Sequence, residues 1–110
     1  MSKTILLALT NPVTGREQEF VSWYKNEHLK DVLAVPGVES AQFHRISGAP
    51  VSARKVYSYA AVYEVEHVSP YAVVEEIVRR SKADEMLLSD AMDEDFYCVL
   101  YDPISDKLRR

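Results

Sequence analysis

Val56-Tyr57-Ser58-Tyr59-Ala60-Ala61-Val62-Tyr63-Glu64-Val65 is the clearest strand in the chain. Its odd positions are Tyr57, Tyr59, Ala61, Tyr63 and Val65, and its even positions are Val56, Ser58, Ala60, Val62 and Glu64. Successive side chains of a strand point to opposite faces, so both faces of this one are largely uncharged. Phe96-Tyr97-Cys98-Val99-Leu100-Tyr101 repeats the pattern, and Ile5-Leu6-Leu7-Ala8-Leu9 is apolar throughout, bounded by Asn11-Pro12 and Gly15. A sheet built from such strands needs cover on both sides.

The segments between them read as helices. Thr14 stands three residues before Glu17, a capping-box spacing, and predicts a helix running to about Glu27 or His28 with Phe20, Trp23, Tyr24 and Glu27 near one stripe. Leu29, Val32 and Leu33 extend it by a turn or two, and Pro36-Gly37 ends it. Val38 to Ile46 reads as a second strand, and Ser47 to Lys55 as a loop. Ser69-Pro70 fits the N-cap and first position of a second helix, with Tyr71, Val74, Ile77 and Val78 as its stripe and Glu75, Glu76, Arg79 and Arg80 opposite. Ser81 to Ser89 reads as a further short helix, and Pro103 stops the last strand.

The order is β-α-β-β-α-β. It predicts an α+β, ferredoxin-like antiparallel sheet with both helices on one face. The simplest cover for the other face is a second copy of the chain, forming a twofold sheet-to-sheet homodimer. The alternative is a ligand-lined concave face in a monomer, whose apolar patch would exceed what monomers usually expose.

Composition sets the outer limits. The 110 residues predict a single domain, 1–110, with a core over about 4–101 and a tail at 102–110. Thirteen Lys and Arg face 17 Asp and Glu, a net charge of -4, which argues against nucleic acid as a partner. Cys98 is the only cysteine, so an intrachain disulfide is excluded. No apolar run approaches the ~20 residues that cross a bilayer. The expected setting is cytoplasmic, with no membrane partner. Three glycines leave no phosphate-cradling loop, and the three histidines form no metal motif, so neither a cofactor nor a metal is expected.

Several strings resemble the EthD-like branch of the dimeric α+β barrel superfamily. They are Asn11-Pro12, then Trp23-Tyr24-Lys25-Asn26-Glu27-His28-Leu29-Lys30-Asp31-Val32-Leu33, then Val35-Pro36-Gly37-Val38 and Tyr59-Ala60-Ala61-Val62-Tyr63-Glu64-Val65. The resemblance spans roughly Thr4 to Tyr101. It implies a homodimer with a pocket between sheet and helices in each subunit, but no one chemistry: the wider superfamily includes cyclases, quinone-forming monooxygenases, isomerases and haem-degrading enzymes. In the resembled branch a histidine in the Glu-His string borders the pocket, and His28 matches that place. Haem binding through a histidine occurs among such barrels, but no distinctive companion residues are identifiable here.

His28, Tyr24 and Asp31 are the candidate catalytic residues. Tyr24 lies four residues before His28 and Asp31 three after it, so a continued helix puts them on one side. An imidazole moves protons near neutral pH, a carboxylate fixes its tautomer, and a phenol binds an oxyanion. The structural alternative is a histidine that only closes the helix end. His44, Trp23, Tyr59 and Tyr63 are the candidate substrate-binding residues. Tyr57, Tyr59 and Tyr63 share one strand face, which forms either a packed dimer seam or the wall of an aromatic-ligand pocket. His44 touches a ligand only if its face looks into that pocket, and Trp23 is otherwise core. Cys98 reads as core filling and His67 as a loop residue. The resulting expectation is cofactor-independent proton transfer (isomerase, cyclase or lyase type) on a small aromatic or hydrophobic oxygenated metabolite. The alternatives are a non-catalytic small-molecule-binding homodimer accessory to an oxidation pathway, and a cofactor-free monooxygenase.

Overall fold

Alternation of burial along each strand decides which face lies under the helices. The computed structural model describes residues 3–110. In β1 (Thr4–Thr10), Leu6, Ala8 and Thr10 are buried while Ile5, Leu7 and Leu9 are half-buried on the opposite face. β1 runs antiparallel between β3 (Tyr59–Val65) and β4 (Tyr97–Tyr101), and β2 (Val38–Arg45) pairs with β3, giving the sheet order β2-β3-β1-β4. The registers Leu6–Tyr63, Ala8–Ala61 and Thr10–Tyr59 stack the buried positions into one layer. This is the expected α+β sheet with its helices on one face.

The first helical segment is continuous but not uniform. It comprises α1 (Glu17–Trp23), a π-helical turn (Tyr24–His28) and α2 (Leu29–Leu33). The expected Thr14 cap is not formed. Gly15 turns the chain at a positive φ of 84°, and Arg16 becomes the N-cap residue, its carbonyl accepting from Phe20. Glu17 is thereby released from the capping box and accepts the Tyr59 hydroxyl at 2.9 Å.

α3 (Pro70–Lys82) begins where Ser69-Pro70 places it, but its buried side differs from the expected stripe. Val73 is its fully buried residue, Val74 and Ile77 pack partly against the core, and Tyr71 and Val78 are exposed. The expected helix over Ser81–Ser89 does not form beyond Lys82. Asp84 adopts a positive φ of 57°, and an irregular strap follows that buries Met86 and Ala91.

Two further expectations change. β3 starts at Tyr59 rather than Val56, because the Asn11 side chain bonds both the Val56 carbonyl (3.0 Å) and the Ser58 amide (2.8 Å) and holds that stretch out of the sheet. Cys98 is exposed rather than core: it faces the helix side, but on an edge strand. Among the described residues no helix is long and apolar enough to cross a membrane.

Candidate functional site

The π turn is what assembles the site. Its closing bond runs from the Leu29 N–H to the Tyr24 carbonyl, five residues back, so residues four and five apart become neighbours on one face. His28 is four residues from Tyr24 and five from Trp23, and its ring meets both. It stacks on Trp23 at 4.6 Å with an interplanar angle of 25°, and stands edge-on to Tyr24 at 4.9 Å. Such single π turns inside helices occur frequently at functional sites.

The polar atoms in this shell are under-satisfied. Tyr24 and Tyr63 are 1% and 2% exposed. The Tyr63 hydroxyl and His28 Nδ1 are buried without a hydrogen-bond partner, as is the Thr10 hydroxyl. The Tyr24 and Tyr63 hydroxyls are near enough to perturb each other, but no hydrogen bond of good geometry joins them. Burial pushes the Tyr24 phenol up to about 12 and raises Tyr63 as well. The Cys98 thiol, on a residue that is exposed overall, faces inward near both phenols, and partial desolvation there raises its pKa. Burial also holds His28 down to about 4, against the opposing pull of the Asp31 charge. At neutral pH these groups are therefore uncharged: two phenolic donors, a thiol and a free imidazole.

Asp31 is close enough to influence His28, but its carboxylate is spent elsewhere. Asp31 Oδ2 accepts the Leu87 amide at 3.1 Å, and Trp23 Nε1 donates to the Leu87 carbonyl at 2.7 Å. The backbone N–H and C=O of one strap residue, Leu87, are thus tied to residues flanking His28. The expected Asp31–His28 hydrogen bond is replaced by a clamp on the strap. The sequence reads this stretch as part of a short helix over Ser81–Ser89 and assigns Leu87 no contact with the site, because an irregular strap leaves no periodicity to show where it docks.

The tyrosine row lies under the helices, not in a dimer seam. Tyr59 and Tyr63 are both 2% exposed and face the helical layer. Tyr57 sits outside the strand, its hydroxyl donating to Asp95 at 3.3 Å. Tyr59 belongs to a continuous aromatic stack that the sequence reading missed. Phe43 stacks on Tyr24 at 4.2 Å and on Tyr59 at 5.3 Å, and Phe20 packs edge-on to Tyr24 and Tyr59. The parity of Phe43 with Ala41 and Arg45 was the available signal. His44 pairs with Ala60, and so lies on the opposite sheet face, away from His28. His67 Nδ1 accepts the Ser69 amide at 2.9 Å, a local loop contact. Among the described residues no cluster of three potential metal ligands occurs.

No protein-family model matches the chain, and no curated protein matches it significantly. Solved structures do share its fold. A MhuD variant with two manganese protoporphyrin IX molecules per active site superposes with a TM-score of 0.63, at 12% identity over 96% of this chain and 99% of that one. A proposed monooxygenase from Shewanella loihica PV-4 gives 0.61, at 13% identity over 96% and 97%. An EthD-like protein from Ralstonia eutropha JMP134 gives 0.60, at 13% identity over 97% of both chains. At such identities the likeness establishes the fold, and the expected likeness to EthD-like proteins stands at that level.

Proposed function

We propose that this protein binds a small, neutral, hydrophobic carbonyl compound between sheet and π turn and moves a proton on it. The observation that carries this is the pair of unpartnered buried atoms, the Tyr63 hydroxyl and His28 Nδ1, connected through Tyr24. Burying such groups unpaired costs about 1–3 kcal/mol each, a cost that structural packing alone does not need. In this reading the Tyr63 and Tyr24 phenols donate to the ligand's carbonyl oxygen. With its own proton on Nε2, His28 Nδ1 takes a proton from the adjacent carbon, whose electron pair moves to the oxygen as the enolate. Return of a proton to the same carbon exchanges it with solvent, and with a ligand that also carries a conjugated C=C, delivery to the γ-carbon instead shifts the double bond and completes an isomerisation. Imidazolium and enolate form together, which offsets the low basicity of the unliganded imidazole.

The proposed unit is a homodimer. Ile5, Leu7, Leu9, Val62 and Val99 share the sheet face that no helix covers, and a second copy of that face would bury both.

A second reading is a non-catalytic binder of the same ligand class. The engagement of Asp31 by Leu87 favours it, since no carboxylate then orients His28. Solvent deuterium incorporation into 2-tetralone, an aromatic ketone with an acidic C–H, separates the two. The catalytic reading expects acceleration by the native protein, its loss in His28→Gln with a cooperative melt retained, and weaker ketone binding in Tyr63→Phe. Saturable 2-tetralone binding without deuteration would establish the binder. No binding at all would overturn both.

A further inference from the structure

We infer a second, separate ligand site: a groove along the β2 edge that accepts an apolar monocarboxylate. Two regular spacings build it. Val21, Lys25 and Leu29, four apart, come from the helical segment, and Ala41, Phe43 and Arg45, two apart, come from the helix-facing side of β2. Together with Tyr59, and with Gln42 and His44 of the opposite β2 parity where the hollow wraps the strand edge, they line a space of about 440 Å³, within the range of small-molecule sites. Because β2 is an outer strand, the hollow opens sideways to solvent. A contiguous hollow of about 300 Å³ shares Val21, Lys25 and Arg45 and continues toward the start of α1.

The charge pattern selects the ligand. Lys25 and Arg45 are both exposed, and among the described residues neither forms an ion pair. The main hollow has no acidic residue in its lining; Glu17, which accepts the Tyr59 hydroxyl, is the one carboxylate lining the contiguous second hollow. The Arg45 guanidinium lies 5.9 Å from the Tyr59 ring centroid, over an aromatic surface that holds it at the groove. Two cations outside any ion pair, one of them (Arg45) beside the Tyr59 hydroxyl, flank an apolar floor and complement an amphiphile with one anionic head. The planar guanidinium suits a carboxylate in particular, since it donates two parallel N–H bonds. An extended polyanion fits poorly, because the apolar floor would be wasted and the chain carries a net charge of -4.

This groove is distinct from the site at His28 and does not rest on the activity proposed there. Phe43 is the wall between them: it lines the groove and stacks on Tyr24 at an interplanar angle of 9°. The inner site presents uncharged groups and suits a neutral molecule, whereas the groove presents positive charge and suits an anion.

The test is an NMR titration with 2-naphthoate, with the neutral 2-naphthamide as its isosteric control. Naphthoate should give saturable shifts in the amides of residues 41–45 and of Lys25, at least ten-fold tighter than the amide. The double variant Lys25→Gln/Arg45→Gln should weaken naphthoate about ten-fold or more and leave the amide unchanged. Both positions are exposed, so the variant should keep the native melt, and Phe43→Leu offers a second perturbation of the floor. Equal affinity for acid and amide, unchanged naphthoate binding in the double variant, shifts confined to Tyr24 and His28, or no saturable binding would each overturn the inference.

Discussion

His28 shows how one side chain's surroundings become a measurable property of the whole chain. Its pKa in the folded protein lies near 4, below the ordinary 6.5 of an exposed histidine, because burial disfavours the cation. Below pH 6.5 the unfolded chain therefore takes up the proton first. The contribution is fully present above pH 6.5 and is lost as pH falls toward 4. Between pH 7 and 4.5 the native protein should lose about 2 kcal/mol more stability than His28→Phe, which keeps the stack on Trp23 without the titration. Urea melts of both proteins at the two pH values check this. Parallel losses would mean that His28 titrates as an exposed residue does. The types and spacing of Tyr24, His28 and Asp31 were legible in the sequence. That Asp31 would bond a strap peptide 56 residues away was not, because that contact depends on how the chain returns.

At the scale of elements, the junction between α2 and β2 packs closely against α3. Gly37 has a φ of 100°, and a Cβ placed there would meet Val73 Cγ2 at 2.7 Å. Gly37→Ala should thus cost about 2–4 kcal/mol, from backbone strain plus displacement of the one fully buried α3 residue. Gly48 has a similar φ of 73° with nothing within 4 Å, so Gly48→Ala should cost only about 1 kcal/mol. Thermal melts of the two variants separate sterics from strain, and equal losses would show that the α3 contact yields freely. Pro36-Gly37 and Ser69-Pro70 marked these boundaries in the sequence because turn and cap residues act locally. Thr14 and Ser81–Ser89 misled because their local preferences were overridden, by the turn at Gly15 in one case and the left-handed Asp84 in the other.

At the scale of the whole molecule, the open sheet face is the feature to probe. The proposed dimer seam lies on the face of Leu7, Val62 and Val99, not on that of Tyr59, which lies beneath the helices. Val62→Asp should therefore shift the protein from twice its 12.5 kDa chain mass toward the monomer, with its melt still cooperative. Light scattering reads the mass directly. A native protein already at the chain mass would remove the seam, and an unchanged dimer in the variant would move it to another surface.

The sequence by itself determined the order of strands and helices, the shared face of Tyr59 and Tyr63, and the apolar character of both sheet faces. These follow from periodicities of two and about 3.6 residues, which are properties of neighbours along the chain. Tertiary structure alone decided which strand face went under the helices. It also decided that a π turn would bring His28 against both Trp23 and Tyr24, and that Asp31 and Trp23 would clamp Leu87. Those outcomes depend on burial and on contacts between distant segments. Packing settles them only when the whole core forms, and no local pattern encodes it.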